Sequence, residues 1–192
     1  RIQEIWTTEY QKALDTADQV VATLQNASQQ VSPPQTTHTD KVDETLLDVT
    51  FQQLVARVDQ QHGGFVNAPK FPTPHTLLFL LRYLKRSGNA YALEMVERTL
   101  QAMRLGGMYD HIGFGFHRYA TDAQWLLPHF EKMLYDQALL AMAYTEAYQA
   151  TQKEEYARTA HEIFTYVLRD MTAPAGGFYS AEDADSEGME GK

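Results

Sequence analysis

The sequence predicts an all-α protein built from antiparallel helical hairpins, and three observations carry that prediction. Apolar residues recur three and four apart over most of the 192 residues, the spacing of a buried helix face. No stretch alternates apolar and polar residues as a half-buried strand would. Gly-Gly plus a bulky apolar residue closes a helical pattern three times, at Gly63-Gly64-Phe65, Gly106-Gly107-Met108 and Gly176-Gly177-Phe178.

In chain order, residues 2–25 read as an amphipathic helix with Ile2, Ile5, Trp6, Leu14, Val20, Val21 and Leu24 on one face, within a connecting segment 1–27. Residues 28–42 are polar, contain Pro33-Pro34 and read as a linker. A second helix is expected from about Asp43 to Gln60, stopped by Gly63-Gly64. The prolines of the loop that follows forbid helix until Pro74, which suits a first helical position. The third helix, His75–Arg86, is apolar almost all round through Leu77–Leu81 and should be buried on several sides. Ser87-Gly88-Asn89 separates it from a fourth, Ala90–Arg104. Pro128 is expected to start a fifth helix running to about Ala150, and the sixth spans Glu154–Met171. The closing stretch YSAEDADSEGMEGK is acidic and reads as irregular.

A net charge of −9 with no Lys/Arg cluster disfavours nucleic acid and anionic membrane surfaces as partners. The longest apolar run is far too short to span a bilayer. With no cysteine, the chain has no disulfide, thiol chemistry or thiolate metal ligand. No export signal opens the sequence, so a cytoplasmic location is the expectation.

Between the fourth and fifth helices lies GGMYDHIGFGFHRYATDAQWLLPHFEKMLYD, which packs His111, His117 and His129 among aromatic and charged residues. Long ordered loops of this kind are usually functional. If each amphipathic helix pairs with a more buried one, the loops after residues 64, 107 and 177 emerge at one rim. The short Ser87-Gly88-Asn89 connection then lies at the other end.

Four segments in order, APKFP at Ala68–Pro72, YDHIGFGFHRY at Tyr109–Tyr119, PHFEKMLYDQA at Pro128–Ala138 and GGFYSAEDADSEG at Gly176–Gly188, carry a specific resemblance. The chain resembles the thioredoxin-domain-containing family that includes spermatogenesis-associated proteins. The resemblance implies a six-hairpin (α/α) toroid, similar to those of N-acylglucosamine 2-epimerases and six-hairpin glycosidases, behind a thioredoxin-like domain absent from this chain. Residues 43–192 would then be a partial toroid, truncated at its C-terminal side. The family commonly has glycine where Val66, Asn67 and Phe114 stand here.

The candidate catalytic residues are His129, His117, His111, Glu131 and Asp136. On a helix, His129, Lys132 and Asp136 would fall within roughly 60° of one another and form one polar stripe. That stripe reads either as a cleft wall with His129 as general acid/base or as an ordinary helix start with an i,i+4 pair. Tyr109, Asp110, Arg118, Trp125, Lys132, Lys70, Glu182 and Asp183 are the candidate substrate-binding residues. Aromatic faces beside hydrogen-bonding groups suit a carbohydrate, and Trp125 with Arg118 is the expected platform. The cluster Glu182-Asp183-Asp185-Glu187 reads as glycosidase acids, a faint calcium loop or, ahead of both, a solvated acidic loop. No metal site and no cofactor are expected.

Two function classes follow. One is carbohydrate chemistry of the epimerase/isomerase type, with a rim-carboxylate glycosidase as its variant. The other is a non-catalytic module that binds a ligand or partner and couples it to the thioredoxin-like domain. A partial toroid has a one-sided pocket and uncovered apolar faces. The chain alone is therefore expected to be inactive, and either to self-associate or to end in a disordered acidic tail.

Overall fold

The structure is a computed structural model that describes residues 6–30, 45–65 and 67–190. It divides into two compact units, residues 1–43 and 44–192. In the first, α1 (Tyr10–Gln30) carries the expected apolar stripe, but Val20, Val21 and Leu24 are exposed, since no other described element of that unit covers them. The helix runs past residue 27 because no breaker precedes Pro33. The expected linker from residue 31 onward lies outside the described residues.

The second unit contains α2 (Thr45–Val55), α3 (Pro74–Ser87), α4 (Ala90–Leu105), α5 (Leu134–Thr151) and α6 (Glu154–Asp170). Pro74 is the first residue of α3. Gly88, in a left-handed conformation, closes α3 through its N–H on the Leu84 carbonyl, and the Asn89 side chain caps α4 at Tyr91 N–H. These two residues turn the chain through a tight corner, so α3 and α4 pack as a hairpin. Leu77, Leu78, Leu80, Leu81 and Tyr83 are all buried, as an all-round apolar helix requires. On α4 the stripe Ala92, Met95, Val96, Thr99, Leu100 and Met103 is buried at three- and four-residue spacing. Helix α5 packs between α3 and α6 and presents Ala141, Ala143 and Ala147, small enough for close approach on both sides.

Three expectations need correction. Helix α2 ends at Val55, not near Gln60, because Asp59 draws the chain into a turn by accepting the Gln61 and His62 N–H groups. Helix α5 begins at Leu134, not Pro128. Pro128–His129 (β2) pairs antiparallel with Tyr119–Ala120 (β1), and Lys132–Met133 (β3) pairs with Ala181–Glu182 (β4). The backbone groups a helix would have used are committed to these ladders, so the predicted helical stripe of His129, Lys132 and Asp136 does not exist. Finally, the acidic tail is not irregular. Asp185–Ser186 (β5) and Met189–Glu190 (β6) form a hairpin closed by Glu187 and Gly188, both left-handed as a two-residue hairpin turn demands.

The long loops do converge. Lys70 exchanges both backbone hydrogen bonds with Ala120, Trp125 donates its indole N–H to the His62 carbonyl at 2.9 Å, and Leu134 N–H reaches Ser180 O. Segments near residues 64–70, 107–133 and 177–190 thus meet at one rim of a helical scaffold. Among the described residues no helix is long and apolar enough to cross a membrane.

Candidate functional site at the loop rim

Three rim turns share one backbone design. Asp59 N–H donates to Gly64 O and Gly63 N–H to Asp59 O, Asp110 N–H to Gly115 O and Phe114 N–H to Asp110 O. Ala173 N–H donates to Gly177 O and Gly176 N–H to Ala173 O, in a turn one residue shorter. Each ends in two consecutive left-handed residues, Gly63-Gly64, Phe114-Gly115 and Gly176-Gly177. The structural counterpart of Gly63-Gly64-Phe65 is therefore Phe114-Gly115-Phe116, not Gly106-Gly107-Met108 as the sequence suggested. Gly106-Gly107 serves another purpose. A Cβ on Gly107 would lie 2.0 Å from Leu126 O, so glycine lets two backbone segments cross.

The first two turns also share a side-chain latch. Lys70, with 1% of its surface exposed, donates to Asp59 Oδ2 at 2.5 Å and to Gly63 O at 2.7 Å, with its ammonium 5.4 Å from the Trp125 ring centre. Lys132 donates to Asp110 Oδ2 at 2.8 Å and Phe114 O at 3.0 Å, 4.4 Å from the Tyr166 ring centre. In each turn the other aspartate oxygen accepts two backbone N–H groups. Partial burial works against ionisation of Asp59 and Asp110, but the lysine and backbone donors outweigh it and hold each carboxyl down to about 2. The repetition marks Lys70, Lys132 and Asp110 as fastenings of the turn. Lys70 does not reach into a cleft, and Trp125, with none of its surface exposed, is packing under Gly64 and no ligand platform.

What the second turn has alone is chemistry. By offset from the latch lysine, Asn67, Pro69 and Pro74 stand where His129, Glu131 and Asp136 stand in the second turn. Val66 matches His117 by offset from the paired left-handed residues. His117 is 7% exposed and its Nδ1 donates to Phe130 O at 3.0 Å, because a carbonyl can only accept. That bond fixes the tautomer and leaves Nε2 with its lone pair. Burial lowers the His117 pKa against the opposing pull of the Phe130 carbonyl, so the ring is neutral at pH 7. The charges of Lys132, Asp110 and Glu182 all act on it.

Asp136 sits in the first turn of α5, 6% exposed, and its carboxyl makes no hydrogen bond to any described residue. Burial pushes its pKa up to about 6, while the nearby Arg118 guanidinium pulls the other way. Arg118 donates to Glu131 Oε2 at 2.5 Å, yet its Nε is buried without an acceptor. His129 stacks on Tyr119 and is gripped by Glu190 at 2.6 Å, with Glu131 3.8 Å away.

The remaining candidates are placed elsewhere. His111 is exposed and tied to Arg104 and Gly106 O, at the outer edge of the loop. Tyr109 is buried, donates to Glu162 and lies under the Arg104 guanidinium. Glu182 accepts from the Tyr166 hydroxyl, and Asp183 Oδ1 accepts the Asp185 N–H at the start of the tail hairpin. Sequence reasoning missed Gln137, whose amide holds both the N–H and the carbonyl of Phe116 and so fixes the backbone next to His117. A glutamine inside an apolar helix was the available signal.

No protein-family model matches the chain. It is 53% identical over 141 residues to human spermatogenesis-associated protein 20, and 40% identical over 134 residues to an uncharacterized protein of Caenorhabditis elegans. This chain is similar to spermatogenesis-associated protein 20. The matches cover 71% and 67% of the chain but 18% of either relative's length. Among solved structures, cellobiose 2-epimerase from Spirochaeta thermophila superposes with a TM-score of 0.61 at 20% identity, over 76% of this chain and 42% of that one. A family 76 mannosidase from Bacteroides thetaiotaomicron gives 0.61 at 16%, over 71% and 38%. These likenesses establish the (α/α) toroid fold of the sugar epimerases and family 76 enzymes.

Proposed function

We propose that the rim holds a carbohydrate-type acid/base site of the epimerase/isomerase kind, with His117 as its base. The observation that carries this reading is a buried, neutral imidazole with its Nδ1 proton committed and Nε2 free, at the meeting point of the rim loops. In the reaction, Nε2 would take the proton from the carbon next to a sugar carbonyl. Electrons from the broken C–H bond pass to the carbonyl oxygen as an enediolate, and return of the proton to carbon or its neighbour gives epimer or isomer. His129, on β2 and stacked on Tyr119, is the candidate second proton carrier. Asp110 and Lys132 would set the field around His117 without touching the substrate.

The glycosidase variant is supported less well. It needs two carboxyls free to act, whereas Glu131, Glu182 and Glu190 are each engaged by another side chain. Those same engagements favour the non-catalytic module as the second reading.

The test is proton exchange between sugar and solvent. The intact protein, incubated in D2O with mannose or cellobiose, should incorporate deuterium next to the carbonyl, seen by NMR. His117→Gln should abolish incorporation while leaving the fold intact. Exchange that survives in His117→Gln, or is absent from the wild type across a broad aldose and ketose panel, would overturn the reading.

A further inference from the structure

A buried carboxyl without a hydrogen bond is expensive, and so is a buried guanidinium N–H without an acceptor. This molecule holds one of each in the same neighbourhood. Asp136 is 6% exposed and its carboxyl accepts no hydrogen bond from any described residue, and Arg118 Nε is fully buried without an acceptor. Among the described residues, Arg118 is also the charged group whose field acts on Asp136. Nη1 of Arg118 is held by Glu131, and the Arg118 backbone N–H by the Glu131 carbonyl, so turning Nε towards water would break that ion pair. The equivalent position in the first turn is Pro74, so the fold does not need a carboxyl there.

From this we infer that Asp136 and Arg118 form a binding subsite for a polyol oxygen, one that rests on the carbohydrate reading above and adds its anchoring point. A hydroxyl group is both donor and acceptor. Its hydrogen satisfies the Asp136 carboxylate, and its oxygen, or that of an adjacent hydroxyl, accepts from Arg118 Nε. The ligand class is a neutral polyhydroxylated molecule. An anion would meet the Asp136 carboxylate and be repelled, and an amine would meet Arg118. Asp136 and Arg118 hold the sugar while His117 acts on it, so losing either weakens binding before it touches the proton-transfer step.

The experiment is a titration of Asp136 in the intact protein, using 13C-labelled aspartate to follow its carboxyl by NMR, with and without saturating mannose or cellobiose. Hydrogen bonding of the carboxylate by a sugar hydroxyl should lower the Asp136 pKa by about one unit. Asp136→Asn and Arg118→Lys should each weaken sugar binding by about ten- to a hundredfold. The lysine variant keeps the charge but replaces the planar guanidinium, Nε donor included, by a single ammonium, so it tests the hydrogen-bonding geometry apart from the field. His117→Gln should leave both the binding and the shift in place. A protein that binds sugar and shifts Asp136 but exchanges no deuterium would keep the subsite and sink the acid/base reading. Sugar binding with no movement of the Asp136 resonance, or with unchanged affinity in Asp136→Asn, would overturn the subsite, as would the absence of any sugar binding.

Discussion

The turn at residues 59–70 and the turn at 110–132 are built alike. In both, an aspartate accepts two backbone N–H groups with one oxygen and a buried lysine with the other, and in both the lysine also holds a carbonyl at the left-handed corner. They differ in what is added. The second turn carries His117, Arg118, His129, Glu131 and Asp136, where the first has residues that cannot exchange a proton. A charged cluster in a single loop invites a catalytic reading of every member. Comparison of the two turns removes the lysine and its aspartate from that set and leaves a smaller group that the fold does not require.

If the latches are equivalent, breaking them should cost the same. Lys70→Met and Lys132→Met each strand a partly buried carboxylate, and each should lose about 2–3 kcal/mol of stability by chemical denaturation. A loss confined to one would break the equivalence. The glycine positions sharpen it. Alanine at Gly64 or Gly115 must be left-handed and would put its Cβ 2.9 Å from Trp125 or 2.7 Å from Tyr166, so about 2–3 kcal/mol should be lost. At Gly177 nothing lies within 4 Å of the added carbon, and the same substitution should cost only about 1 kcal/mol.

Proton linkage sets Asp136 apart by direction. Asp59 and Asp110, held down to about 2, contribute stability above pH 4 that is lost as the pH falls through 2. His117, its pKa lowered, favours the fold when neutral and costs stability as the pH falls below its ordinary value of 6.5. Asp136 runs the other way. Its pKa is raised to about 6, so it is tolerated best below pH 4 and weakens the fold as the pH rises through 6. Asp136→Asn should therefore flatten the stability profile between pH 4 and 7. The smallest effect belongs to Glu190→Gln. It removes a half-exposed partner of His129 and should change stability by under about 0.5 kcal/mol.

The helices were legible because burial imposes a period on sequence, and Pro74, Gly88 and Asn89 act through local backbone geometry alone. The convergence of the loops was legible for the same reason, since hairpin pairing fixes which ends meet. The true repeat was hidden at Phe114, a bulky residue at a left-handed position where glycine is expected. The ladders were hidden because two residues are too few to show alternation, and because Pro128 suits a strand edge as well as a helix start. In the candidate site, His117 and Asp136 could be nominated from the sequence. That Lys70 and Trp125 are buried fastenings could not, because their partners Asp59 and His62 come from a different loop.

The claim that the second turn carries a site on top of a shared scaffold is tested most directly by paired denaturation of Asp110→Asn and Asp136→Asn at pH 7.5. The two are similar changes of a carboxylate to an amide in the same unit. The account predicts opposite signs, with Asp110→Asn less stable by about 2–3 kcal/mol and Asp136→Asn more stable than the wild type by about 1–2 kcal/mol. If both variants lose stability, Asp136 is structural and the separation of scaffold from site fails.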